Sequence, residues 1–158
     1  KREVINNIEL CDPDYYIYFE DADFCIRTKR AGYKVIYVPS AIFWHKGSTT
    51  VGKFSYKGYY YLRRNQIRFV MKTFPLRFMI SALIYCLIFR TILDSLIIVT
   101  PIRKLIDLGI PRFRGFTRGT SDSRLIKAQK DAILWNLKNM RKTIQERYKL
   151  NDEVQISL

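Results

Sequence analysis

A single histidine, His45, is all the imidazole this chain carries, and its three cysteines (Cys11, Cys25 and Cys86) stand far apart with no Cys-x-x-Cys pair. That excludes a cysteine- and histidine-built zinc site and gives no disulfide framework; the thiols read as reduced and mostly buried, in a cytosolic setting. Acid is scarce as well. Fourteen Asp and Glu stand against twenty-eight Lys and Arg, a net charge of +14, which implies an anionic partner or surface. Nucleic acid, anionic lipid headgroups and a phosphate-bearing substrate are the three candidates. No Gly-rich strand-to-helix turn and no Asp-x-Asp at a strand end precedes residue 12, so a phosphate-cradling turn is missing there. There is no internal repeat and no secretory signal at the start. The chain opens on Lys1 rather than Met and reads as a fragment or a processed product.

What is present suffices for one ordinary domain with a real core, at 158 residues. Residues 1–11 are too short to assign, and Asp12-Pro13-Asp14 is a turn signal. The aromatic run Tyr-Tyr-Ile-Tyr-Phe at 15–19 predicts a short strand leading into a helix over 20–31. Gly32 stops that helix, and Val, Ile and Tyr over 33–38, bounded by Gly32 and Pro39, predict a second strand. A third extended piece, 41–44, ends at His45, and 46–52 is a small, polar loop. From Phe54 to Lys72 the pattern is helical, with Tyr56, Tyr60, Ile67, Val70 and Met71 on one side and Pro75 closing the element. A last helix, capped by Ser121 or Ser123 and running to about Tyr148, carries a stripe of Ile126, Ile133, Leu137, Met140 and Ile144.

Residues 78–99 are the most apolar stretch, long enough to cross a bilayer but interrupted by Arg90 and Asp94, spaced to pair on a helix face. Each central charge costs about 2.5–3.5 kcal/mol on insertion, against roughly 0.3–0.6 gained per large apolar residue, so spanning comes out near break-even. Crossing, lying in the plane of the membrane and packing as a core helix all remain open. Lys72 and Arg77 before the stretch and Arg103 and Lys104 after it suit anionic headgroups and give no inside–outside bias. Arg112, Arg114 and Arg118 follow in a Gly-punctuated loop.

The densest chemistry sits at Glu20, Asp21 and Asp23, three carboxylates within four residues. One reading is structural: acids in the first helical turn, with Arg27, Lys29 and Arg30 in the last, complement the helix dipole. The other is chemical, because crowded carboxylates raise one another's pKa toward the range of a working base. His45 reads either as a strand-end side chain bonded to backbone or as a ligand. Lys46, Arg63 and Arg64 read either as a solvated basic face or as a phosphate cradle.

Several blocks tip the balance. Tyr-Phe-Glu-Asp-Ala-Asp-Phe-Cys-Ile-Arg at 18–27, Ala-Gly-Tyr-Lys-Val-Ile-Tyr-Val-Pro-Ser-Ala at 31–41, Trp-His-Lys-Gly-Ser at 44–48 and Tyr-Tyr-Tyr-Leu-Arg-Arg-Asn at 59–65 occur in order. Together they resemble the acceptor-side half of family 2 glycosyltransferases of the GT-A type, closest to the rhamnosyltransferase-like members that build surface polysaccharides. The likeness covers about residues 12–75. It implies an α/β fold: residues 1–75 as the acceptor-side part without the donor-binding half, 76–110 as an apolar membrane-associated helical segment, and 111–158 as a basic loop and amphipathic helix.

The activity implied is inverting transfer from a nucleotide-diphosphate sugar to a glycan or lipid-linked acceptor, with rhamnose the first guess for relatives of this look. Asp21 would be the general base, and Glu20 and Asp23 would bind acceptor hydroxyls or hold Arg27; Asp23 is the second choice of base. Arg27, Trp44, Lys46, Arg63 and Arg64 would contact acceptor or phosphate. His45 would join a divalent metal, Mg²⁺ or Mn²⁺. The expected place is the cytoplasmic face of the cell membrane, peripheral or with one inserted helix, and the portion in hand would be inactive by itself. Two other classes stand beside this one: a non-catalytic, membrane-associated basic partner protein, and a nucleic-acid-binding module with tyrosines interleaved among the basic residues. The latter leaves the acidic cluster and the apolar run unexplained.

Overall fold

The computed structural model describes residues 2–8, 10–45, 50–52, 55–89, 92 and 122–156. In chain order the helices are α1 (Arg2–Ile8), α2 (Glu20–Arg30), α3 (Tyr56–Thr73), α4 (Leu76–Ile84), α5 (Asp122–Lys138) and α6 (Met140–Ile156). A π-helical turn, Tyr85–Phe89, continues α4 without a break.

Among the described residues α1 rests on α2, and α2, α4, α5 and α6 pack on α3. Its start is set by Ser55, whose hydroxyl accepts from the Gly58 N–H at 2.9 Å, a side-chain cap for a donor the helix itself cannot satisfy. A Cβ at position 58 would meet Ser55 Oγ and the Gly52 carbonyl at 3.3–3.4 Å, so glycine gives the cap its close approach. Its end is set by Pro75: Phe74 is already extended, as the residue before proline must be. One side of α3 is apolar, with Ile67 and Val70 buried against Cys86, Met79, Leu83 and Ile133. The other buried side is polar, carrying Arg63, Arg64, Asn65, Arg68 and Lys72.

The most extensive helix pair is α3 with α5. Ala128 and Ala132, both fully buried, let the two backbones approach. Asn136 fastens them, donating to the Arg64 carbonyl at 3.0 Å and the Ala132 carbonyl at 2.9 Å. This corrects the expected C-terminal stripe. Of its members Ile133 packs inward, whereas Ile126, Leu137, Met140 and Ile144 are 37–60% exposed. The inward row is instead Leu125, Ala128, Ala132, Asn136, Thr143, Arg147 and Leu150, small and polar because it faces the arginines of α3. The predicted single helix is two, broken at Asn139.

The α/β expectation is overturned. No strand occurs among the described residues. At 15–19 the reason is conformational: Tyr16, Tyr18 and Phe19 have φ of 60°, 66° and 69°, a left-handed backbone incompatible with a strand. At 33–38 and 41–44 the chain carries strand-type residues but, among the described residues, has no neighbour for a ladder. A strand is defined by hydrogen bonds to a second one. Ile36, Tyr37, Ile42, Phe43 and Trp44 accordingly stand 74–97% exposed. The helix over 20–30 and its Gly32 stop are as the sequence predicts, with Gly32 at φ 79° and its N–H on the Lys29 carbonyl.

Among the described residues no helix is long and apolar enough to cross a membrane. The Arg90–Asp94 pair, Arg103, Lys104, the 112–118 arginines and Lys46 lie outside the described residues.

Candidate functional site: a clamped loop and its acids

The loop at 12–19 is shaped by the side chains beneath it. Asp12 begins it, its carboxylate accepting from the Asp14 N–H at 2.9 Å while its carbonyl accepts from the Tyr15 N–H at 3.1 Å. Asn65 then holds the turn: its Nδ2 lies 2.7, 2.6 and 3.0 Å from the carbonyl oxygens of Tyr15, Ile17 and Tyr18. Arg64 reaches the carbonyls of Asp14 and Tyr15, and its guanidinium sits between the Tyr61 ring, at 4.6 Å, and the Trp135 ring, at 4.5 Å. Each left-handed non-glycine residue costs on the order of 1–3 kcal/mol, so three in four positions persist only because these donors fix the carbonyls.

The loop's exit is α2, whose first turn has no side-chain cap at Phe19. The three acids separate sharply here. Asp21 is exposed, its Oδ1 2.7 Å from the Ala22 N–H. Glu20 is half-buried, with Oε2 shielded and unpaired. Asp23 is fully buried and committed: Oδ2 takes 2.8 Å from Arg27 Nε, and Oδ1 lies 2.9 Å from the Lys72 ammonium. Arg27 also donates to the carbonyls of Ile8 and Leu10, tying α1 to α2.

The remaining sequence candidates divide the same way. Arg63 is buried, on Gln66 at 2.6 Å and the Cys86 carbonyl at 2.5 Å. Arg64 is buried in the clamp just described. Neither presents its guanidinium to an outside phosphate. Trp44 is 97% exposed and His45 is exposed in the extended segment. A divalent ion needs several convergent ligands, and among the described residues no group of three His, Cys, Asp or Glu side chains is arranged to hold one.

Sequence reading missed a second centre. Arg68, with no exposed surface, lies 2.8 Å from Asp12, 3.3 Å from Asp14 and 2.6 Å from Glu146, and donates to Thr143 Oγ1 at 3.1 Å. Lys72 joins Asp12 at 2.7 Å, and Lys142 joins Asp14 at 2.6 Å. Burial alone pushes the Asp12 carboxyl up, but Lys72 and Arg68 more than offset it and hold the group at about 2. Burial, helped by Asp23, drives the Tyr15 hydroxyl well above its usual range, and the Arg68 and Lys72 cations lie over that ring at 5.3 and 5.5 Å. Arg68 and Lys72 one turn apart on a helix, with acids at 12 and 14, was the signal available; the partner Glu146 was not foreseeable from spacing. A cavity of about 530 Å³ opens beside this network, lined by Asp12, Asp14, Lys72, Lys142 and Glu146 among others. Asp21 and His45 are not among its lining residues.

A scan against protein-family models and searches of curated proteins and of solved structures return no match.

Proposed function

We propose that the chain is the acceptor-side part of an inverting glycosyltransferase, with Asp21 as the base that takes the acceptor hydroxyl proton. One observation carries the reading beyond the sequence blocks. A strained loop, clamped by the Arg64 and Asn65 of the aromatic-Arg-Asn motif, delivers one solvent-open carboxylate while its neighbour Asp23 is buried in ion pairs. Strain held in place by dedicated side chains concentrates at working sites. Asp21 at the start of α2 is free to accept a proton from an incoming hydroxyl, and the loop that leads into α2 exposes the Tyr16 ring, 5.0 Å from that of Tyr61.

In this reading Asp21 removes the proton as the sugar oxygen attacks the anomeric carbon, and the nucleoside diphosphate leaves with the bonding pair. Arg64 positions the loop, Asp23 and Arg27 tie α2 to α1, and Arg63 holds the Cys86 turn; none of the four touches substrate. The nucleotide-sugar donor, the divalent metal, the glycan or lipid-linked acceptor and the cytoplasmic membrane face enter through the resemblance and the composition; no step is routed through a metal.

The test uses membranes from cells producing the natural protein, supplied with a panel of labelled nucleotide-diphosphate sugars. Transfer that depends on the protein and falls at least about a hundredfold in Asp21→Asn, within the usual contribution of a general base, supports the assignment. Wild-type turnover in Asp21→Asn overturns the base, and no transfer from any donor overturns the activity.

A further inference from the structure

The α4 helix and its π-helical continuation carry two apolar faces, and only one is used. Met79, Ala82, Leu83, Cys86 and Leu87 pack on α3. On the other side Leu76, Ile80, Ile84, Ile88 and Ile92 recur every fourth residue, and they are 65, 65, 53, 55 and 50% exposed. Phe78, Tyr85 and Phe89 widen this row at 51, 45 and 55% exposure. Single exposed leucines are ordinary, but eight large apolar side chains exposed between 76 and 92 are not.

The charges that follow in the sequence, together with Arg77, argue for its occupant. Between residues 77 and 118 the sequence has seven basic residues (Arg77, Arg90, Arg103, Lys104, Arg112, Arg114, Arg118) and two acids, Asp94 and Asp107. Arg77 is exposed at the start of the row, its guanidinium over the Phe78 ring at 4.8 Å from the ring centre. A second copy would bring +14 against +14, which disfavours self-association. Among the described residues no helix is long and apolar enough to cross a membrane, so the described row is taken as lying in the interface.

We infer that the Leu76–Ile80–Ile84–Ile88 face of α4 and its π-helical turn is a lipid-contact surface, seated in the interface of an anionic bilayer with Arg77 at headgroup level. This specifies which residues meet the membrane and does not depend on glycosyl transfer.

The experiment is flotation of the 158-residue chain with vesicles of phosphatidylglycerol and phosphatidylcholine, and with phosphatidylcholine alone. Binding to the mixed vesicles is expected, with at least about a tenfold loss of partition in Ile80→Asp/Ile84→Asp/Ile88→Asp. These side chains face solvent, so circular dichroism and the thermal midpoint should match the parent. In a separate Ile84→Trp variant, the emission added to that of the native Trp44 and Trp135 should shift to the blue on the mixed vesicles and be quenched by brominated lipid chains. The inference is overturned if the parent floats with neither vesicle, if the triple variant binds like the parent, or if brominated lipid leaves the introduced indole unquenched. It is also overturned if the lipid-free chain sediments as a dimer that the triple variant abolishes. None of these outcomes bears on Asp21.

Discussion

The side-chain amide of Asn65 lies 2.7 Å from the carbonyl oxygen of Tyr15, a residue with no exposed surface, fifty positions earlier in the chain. The same nitrogen also serves Ile17 and Tyr18, so two amide hydrogens are shared among three carbonyls. A loop that would otherwise relax to extended backbone is thereby kept left-handed at Tyr16, Tyr18 and Phe19. The acids that follow inherit their placement from that bond.

Replacing Asn65 with alanine should therefore destabilise the fold by about 2–4 kcal/mol, because buried carbonyls lose their donor and the loop strain is released only by rearrangement. Asn65→Asp should be at least as costly, since a carboxylate would face carbonyl oxygens. Urea unfolding followed by circular dichroism measures both. A loss below about 0.5 kcal/mol, the scale of an indifferent surface change, would remove the clamp from the account.

The acids of α2 should part company under the same measurement. Asp23→Asn strips the charge from a buried carboxylate shared by Arg27 and Lys72, and should cost about 3–5 kcal/mol by leaving Arg27 without that carboxylate and Lys72 with Asp12 alone. Asp21→Asn touches an exposed group and should stay within about 0.5 kcal/mol. If both variants unfold alike, the division between a structural Asp23 and an available Asp21 fails.

What the sequence disclosed was local. Helix α2 and its Gly32 stop, the proline end of α3 and the turn at Asp12-Pro13-Asp14 all follow from residues acting on their immediate neighbours. The errors lie where distant residues decide. The aromatic run at 15–19 has strand-type composition, but Asn65 imposes a different backbone from fifty residues away. The 33–38 segment has a strand's residues and no ladder partner among the described residues. Arg63, Arg64 and Arg68 look like a solvated basic face until the acids and carbonyls they meet are in view. Asp21 was legible as a candidate because an acidic cluster is visible in one dimension; which member stays open to solvent was not.

Acid should weaken the fold through Asp12. Its carboxyl is held at about 2 against an ordinary 3.8, so the folded state binds its proton less readily than the unfolded chain. The stabilisation is complete above the unfolded value and is lost as pH falls from about 4 through about 2, amounting to about 2 kcal/mol. Denaturant midpoints taken across that window should fall for the parent and flatten in Asp12→Asn, after allowing for that variant's lower starting stability. An equally steep decline in Asp12→Asn would assign the acid sensitivity elsewhere.

Arg68 offers the sharpest contrast between breaking a charge network and replacing it. Its guanidinium is completely buried and satisfies Asp12, Glu146 and Thr143 at once, joining the first loop to α6 across α3. Arg68→Met keeps much of the stem but leaves Asp12 with only Lys72 and leaves Glu146 without its 2.6 Å partner, and should cost about 3–5 kcal/mol. Changing Glu146→Gln and Asp12→Asn together with Arg68→Met removes the stranded charges as well, and should recover part of that loss, because the desolvation of unpaired carboxylates is the larger share of the penalty. Urea melts of the single and triple variants decide it. A triple variant less stable than Arg68→Met alone would mean that the acids stabilise the fold through contacts other than this arginine.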